Sequence, residues 1–111
     1  MSSFEALEVA MQLVGAMAPI IEKVEKRDSG MAKQMRDATT SIPSNLSEGA
    51  RRRGKDRTYL FSVAAGSAGE VKTQVRVAKA WRYIDDAAFG GVAEWLDRTC
   101  AITWRLVNPR R

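Results

Sequence analysis

Glu48 and Glu70 are the carboxylates from which any acid–base or metal chemistry in the middle of this chain would have to be built. Neither has a second acid at a ligand spacing, and general acid–base catalysis needs a positioned partner. The 111 residues contain no histidine and one cysteine, Cys100. Those counts exclude a Ser-His-Asp triad, a Cys-His pair, an imidazole metal site and an internal disulfide. The expectation is a protein that is not an enzyme and takes no metal and no cofactor.

The second unusual stretch is Ser41-Ile42-Pro43-Ser44-Asn45-Leu46-Ser47-Glu48-Gly49. It is polar where a bundle helix should be apolar, and Ser and Asn compete for backbone groups. Pro43 frees a carbonyl one turn back, and Asn45 carries two donors and an acceptor for bridging helices. Two readings stay open: a kink whose polar network fixes helix register, or a ligand pocket. Arg36 lies close to the apolar stripe of its helix. A buried pair of Arg36 with Glu70, or of Arg36 with Glu48, is sterically possible there and would specify geometry more than stability.

The third feature is charge. Arg51-Arg52-Arg53-Gly54-Lys55-Asp56-Arg57 has five cations in seven residues, followed by Thr58, Tyr59 and Phe61. That pairs phosphate-binding charge with aromatic surface. Lys72, Arg76, Lys79 and Arg82 recur at spacings of four, three and three, which places them on one helical face. The net charge is +5, and it is uneven. Residues 1–25 carry four acids against one lysine, while residues 26–57 carry nine basic residues against four acids. A polyanion-facing surface needs such asymmetry, although a solvated helical face would look the same.

These residues need elements to position them. Phe4, Leu7, Met11, Val14, Ala18 and Ile21 follow alternating steps of three and four, the seam pattern of a packed helix over 4–25. Leu13, Met17, Ile20 and Val24 widen the stripe, Ser2 or Ser3 caps it, and Pro19 bends it. Met31, Met35, Ala38, Ile42, Leu46 and Gly49 predict a second helix over 31–50; because the period runs through Pro43, one kinked helix is favoured over a stop near Ile42 with a restart at Pro43. Leu60, Val63, Ala64, Ser67, Val71, Gln74, Ala78 and Trp81 predict a third over 57–83, after an exposed basic turn at 51–56. Gly66 and Gly69 at its centre suggest close approach of a neighbouring helix. Asp85-Asp86 caps a fourth over 87–107, with Val92, Leu96, Thr99, Ile102 and Leu106 inward. Arg110-Arg111 is a tail.

Four helices of about 20 residues with short connections predict one domain, residues 1–111, an all-α antiparallel up-down-up-down bundle. Trp81, Trp95, Trp104 and several Met exceed what one narrow seam needs, so some should lie at subunit contacts. The N-terminus lacks a basic leader, and the longest charge-free run, Val9 to Ile21, is shorter than a membrane span. The expected location is cytoplasmic, away from membranes.

Gly30-Met31-Ala32-Lys33-Gln34-Met35-Arg36, the 41–49 stretch and Ala65-Gly66-Ser67-Ala68-Gly69-Glu70 together resemble the 23S rRNA intervening-sequence proteins (ribosomal protein S23-like). That family is typified by G-L-x-x-Q-[IM]-R, S-[IV]-P-S-N-[IL]-[AS]-E-G and G-S-x-x-E. The resemblance covers residues 4–107. Met31 replaces the usual Leu, and Trp81-Arg82-Tyr83-Ile84 stands where L-G-Y-I is common. The resemblance implies a bundle that assembles into a homo-oligomeric ring, typically a homopentamer. It also implies a likeness in fold to the accessory protein of diversity-generating retroelements, a basic ring that associates with nucleic acid and a reverse transcriptase. By position, the family's marked residues are Arg36, Pro43, Asn45, Glu48, Gly49, Ser67 and Glu70, with Ser41 beside them. The expected function is a basic scaffold binding RNA or DNA through Arg51, Arg52, Arg53, Lys55 and Arg57, helped by Lys72, Arg76, Lys79 and Arg82. The alternative is an adaptor whose basic surface docks an acidic protein such as a nucleic-acid enzyme.

Overall fold

The computed structural model describes residues 2–109, so the Arg110-Arg111 tail lies outside the described residues. Helices α1 (Ser3–Glu25), α2 (Ser29–Ala50), α3 (Gly54–Ala80) and α4 (Asp86–Val107) account for nearly all of them. Among the described residues there is no strand. The α1–α2, α2–α3, α3–α4 and α4–α1 pairs each pack, so the helices form a compact bundle 42 Å long and about 20 Å across.

Local chemistry explains each start. The Ser2 hydroxyl accepts from the Glu5 N–H at 3.1 Å, the Asp28 carboxylate from Met31 at 3.0 Å and the Asp85 carboxylate from Ala88 at 2.8 Å. Each satisfies an orphan donor of a first helical turn. α3 starts without a side-chain cap, three residues earlier than its apolar period indicates. Gly54 makes this possible with φ +58, a left-handed conformation that glycine adopts without strain. The basic turn shrinks to Arg51–Arg53, and Lys55 and Asp56 become first-turn residues of α3.

α1 and α2 both continue through their prolines, Pro19 and Pro43. The period was the stronger signal because each proline removes only one backbone bond.

The core face of α1 differs from the expected seam. Ala6, Ala10, Leu13, Met17, Ile20 and Val24 are buried, whereas Phe4 is 69% and Met11 50% exposed. The seam of Phe4, Leu7, Met11, Val14 and Ala18 therefore lies along the edge and outer side of α1. Two apolar stripes share this helix, and the flanking one, Leu13, Met17, Ile20 and Val24, forms the core. The same double stripe makes α1 long and apolar enough to cross a membrane by length and composition. The run counted from Val9 to Ile21 missed this because an apolar window tolerates a charge or two.

The close approach expected at Gly66 and Gly69 does not occur. Both are exposed, and a Cβ at either would meet nothing within 4 Å. Ala64 and Ala68 provide the packed small residues of α3, and the tight crossing is at Gly49 instead.

Candidate nucleic-acid interface

The α2–α3 turn gathers the densest positive charge of the chain, and its geometry divides those cations by role. Glu48, in the last turn of α2, accepts from Arg51 at 2.7 Å and from Arg52 at 2.9 Å. Arg57 reaches back to the Ala50 carbonyl at 3.4 Å and lies over the Phe61 ring at 5.1 Å. Three of the five cations thus brace the turn. Among the described residues Arg53 and Lys55 have no carboxylate within ion-pair distance, and both are exposed. Tyr59 stands 66% exposed one turn into α3.

Arg51 and then Arg52, by hydrogen bond and charge, hold the Glu48 carboxyl below the usual carboxylate range. A lowered folded value means that this contact stabilises the turn fully above about pH 4.5 and loses its contribution as pH falls below that. Glu48→Gln should abolish this acid-side loss. It should also release two guanidiniums, tightening binding to a polyanion and steepening its salt dependence by up to about two phosphate contacts. Urea titrations from pH 6 down to pH 3, and oligonucleotide titrations at two salt concentrations, read the two effects separately.

The second cationic row is muted and incomplete. Lys72 pairs with Asp97 at 3.1 Å, and Lys79 pairs with Asp86 at 3.3 Å while covering the Phe89 ring at 4.5 Å. Arg76 lines a cleft of about 380 Å³ between α3 and α4 with Lys72, Phe89 and Leu96. Arg82 is not part of the helical row, because α3 ends at Ala80 and Arg82 sits in the following turn with φ 65, although it lines a cleft with Lys79. The helical spacing was right, but the helix stopped short of it.

The polar motif closes on itself. The Ser41 and Ser67 hydroxyls are 2.9 Å apart, linking α2 to α3. Asn45 donates to the Ser41 carbonyl at 2.8 Å and to its hydroxyl at 3.0 Å. All three side chains are half-buried. Pro43 takes the helical donor from the Thr39 carbonyl, and the Thr39 hydroxyl beside it is buried without a partner.

The proposed Arg36 pairs do not form. Arg36 meets Glu25 of α1 at 3.3 Å on the surface, Glu48 is engaged by Arg51 and Arg52, and exposed Glu70 accepts from Gln74 at 3.3 Å. Arg36 lies on the α1 side of α2, which spacing within a single helix does not reveal. Among the described residues no three His, Cys, Asp or Glu side chains converge as metal ligands. Burial pushes the Cys100 thiol up, making it a poor nucleophile at neutral pH.

The family model for the 23S rRNA-intervening sequence protein matches residues 2–104. The chain belongs to that family. Its bundle also resembles a crystallised protein of unknown function from the S23 ribosomal protein family of Bacteroides thetaiotaomicron. That likeness has a TM-score of 0.82 at 13% identity and covers 92% of this chain and 97% of the other. At that identity the likeness shows the fold alone. No curated protein matches the chain at a significant level.

Sequence reasoning missed one set of residues near the opposite end of α2. Tyr83 reaches Asp28 at 3.5 Å, so the α3–α4 turn abuts the α1–α2 turn. Trp81 and Tyr83 stack there, with ring centroids 6.5 Å apart and planes 18° from parallel. The available signal was the W-R-Y-I departure itself, with an arginine where glycine usually ends the helix.

Proposed function

We propose that this intervening-sequence family member is a non-enzymatic basic scaffold that binds RNA or DNA through phosphates, without strong sequence preference. The observation that carries this reading is the α2–α3 turn, with unpaired Arg53 and Lys55 projecting next to exposed Tyr59. Cations track the backbone, and an exposed ring offers a base a stacking surface, a combination tolerant of sequence. Glu48 engages Arg51 and Arg52, which leaves Arg53 and Lys55, among the described residues, as the free cations of a braced turn.

The scaffold reading includes self-association. Phe4 and Met11 on one α1 stripe and Trp104 on α4 are each at least half exposed, apolar area that contact between copies would cover. They favour contact between copies, in keeping with the ring, typically a pentamer, that the family resemblance implies. An up-down-up-down antiparallel course is supported by Gly49 packing on Phe61 while Ser41 meets Ser67, and by Tyr83 meeting Asp28. Burial of one α1 face in the bundle supports a core helix rather than a membrane span, and a cytoplasmic location is the accompanying proposal.

Fluorescence anisotropy of labelled single-stranded RNA and duplex DNA at two salt concentrations tests the function. Wild-type affinity should fall with a log–log slope of about 0.7–0.9 per phosphate contacted, and Arg53→Gln/Lys55→Gln should lower that slope by about two contacts. No binding at low salt would sink the reading and turn attention to an acidic protein partner.

A further inference from the structure

We propose that the Trp81–Tyr83 turn is a stacking site for bases of single-stranded nucleic acid, a second contact remote from the basic α2–α3 turn. The inference rests on the nucleic-acid reading above and extends it to residues that reading does not use.

Trp81 caps the C-terminus of α3 and is 66% exposed. It is not a loosely hanging ring. It stacks against Tyr83, which is half-buried and carries the Arg27 guanidinium over its ring at 5.4 Å. The Tyr83 N–H donates to the Ala78 carbonyl at 2.9 Å and the Arg82 N–H to Lys79 at 2.9 Å, which closes the helix end tightly. Tyr83 thus has both Arg27 and Trp81 against its ring, and Trp81 is the more exposed of the two aromatics.

Arg82 supplies the second observation. It is the only non-glycine residue with positive φ among those described. This is the position after a helix where glycine is normally used, because a Cβ there strains the backbone. The chain accepts that strain and gains a guanidinium beside the stacked rings. The cap bonds from Tyr83 and Arg82 require the left-handed conformation here, so the unusual feature is that an arginine fills it where glycine would be unstrained.

The third observation is a cleft of about 620 Å³ beside the turn, lined by Lys23, Lys79, Arg82 and Tyr83 with Asp85 and Asp86. The acids are engaged: Asp85 caps α4, and Asp86 pairs with Lys79. Among the described residues Lys23 and Arg82 line it with no carboxylate in ion-pair distance. A base laid on the free face of Trp81 would bring its phosphate toward these cations. Every base has a π-face, so such a site takes any single strand, whereas the bases of a duplex are already stacked.

The α2–α3 turn lies at the other end of α2, which is about 33 Å long at 1.5 Å per residue. The test uses labelled oligo-rU and oligo-dT hexamers with a DNA hairpin duplex as control, titrated with wild type, Trp81→Leu, Trp81→Phe and Arg82→Gly. Trp81→Leu should weaken both single strands at least about fivefold, the lower end of one base–aromatic stack, and leave the duplex unchanged. Trp81→Phe should retain most of the binding. Arg82→Gly should melt at a higher temperature than wild type yet bind single strands more weakly, which separates binding from folding. The RNA and DNA arms show which sugar is accepted. Unchanged single-strand binding in Trp81→Leu and Arg82→Gly, with Arg53→Gln/Lys55→Gln still impaired, would overturn this site and leave the scaffold reading intact. Equal losses for hairpin and single strand would reduce the site to phosphate attraction and also overturn it. If Trp81→Leu alters only the sedimentation of the protein, Trp81 is a subunit contact and the proposal fails. Absence of any wild-type binding would remove both readings together.

Discussion

Leu13→Ala is expected to destabilise the bundle by about 2–5 kcal/mol, whereas Met11→Ala two residues away should cost less than about 0.5 kcal/mol in dilute protein. The contrast follows from which α1 stripe faces inward. Leu13 is fully buried between Ala10, Met17 and the facing helices, and truncating it removes apolar contact and leaves a cavity. Met11 is half exposed, so its truncation opens no cavity. Urea unfolding at low protein concentration, with m-values compared to confirm a common unfolded state, measures both. Raising the concentration adds a second readout. If copies meet through the Phe4–Met11 stripe, the Met11→Ala loss grows with concentration, because association stabilises only the folded form. The Leu13→Ala loss carries no such dependence. Equal costs for the two variants in dilute solution would mean that the α1 core face is wrongly assigned.

The α1 result shows where sequence information ran out. Met35, Ala38, Ile42, Leu46 and Gly49 on α2, and Val92, Leu96, Thr99 and Ile102 on α4, are buried as their periodicity predicts. Those helices each carry a single stripe, and one stripe has only one way to face a core. α1 carries two, about 120° apart on its circumference at 100° per residue, and the pattern alone cannot rank them. Only packing ranks them, since the narrow interior accepts Ala6 and Ala10 more closely than Phe4. The site was legible in composition but not in pairing. Five cations around residue 54 were evident from the sequence. That Glu48 would take Arg51 and Arg52, and that Asp97 and Asp86 would take Lys72 and Lys79, depends on distances that no one-dimensional spacing contains. Arg82 illustrates the remaining case. The three-residue spacing from Lys79 holds only while the helix continues, and the stop at Ala80 is a tertiary event in which Tyr83 turns back toward Asp28.

Gly49→Val should lose about 3 kcal/mol of stability and, in addition, weaken nucleic-acid binding although no cation is touched. A Cβ at Gly49 would stand 2.8 Å from Cδ1 and Cε1 of Phe61 and 3.2 Å from Cβ of Leu60. Real carbon atoms do not approach so closely, and the Phe61 ring has little freedom to retreat. It is 4% exposed and covered by the Arg57 guanidinium. Replacing glycine within a helix would otherwise gain about 1 kcal/mol of propensity, so even Gly49→Ala poses a direct contest between backbone preference and overpacking. The distances decide for overpacking, and Val adds a branched side chain to the same clash. The functional consequence passes through Arg57. Its reach to the Ala50 carbonyl and its stacking on Phe61 tie the start of α3 to the end of α2, and Arg53 and Lys55 lie between those anchors. Wedging α2 from α3 at Gly49 therefore displaces the cationic turn. Phe61→Leu removes the ring edge that the new Cβ would strike, so Gly49→Ala/Phe61→Leu should be more stable than the sum of the two single losses by about 1 kcal/mol. A double-mutant cycle in urea on wild type, Gly49→Ala, Phe61→Leu and the double variant, with urea and anisotropy titrations of Gly49→Val beside it, measures both consequences. Additive stabilities would show that the crossing is looser than 2.8 Å implies, and unchanged binding in Gly49→Val would separate the turn's cations from the α2–α3 contact that holds them.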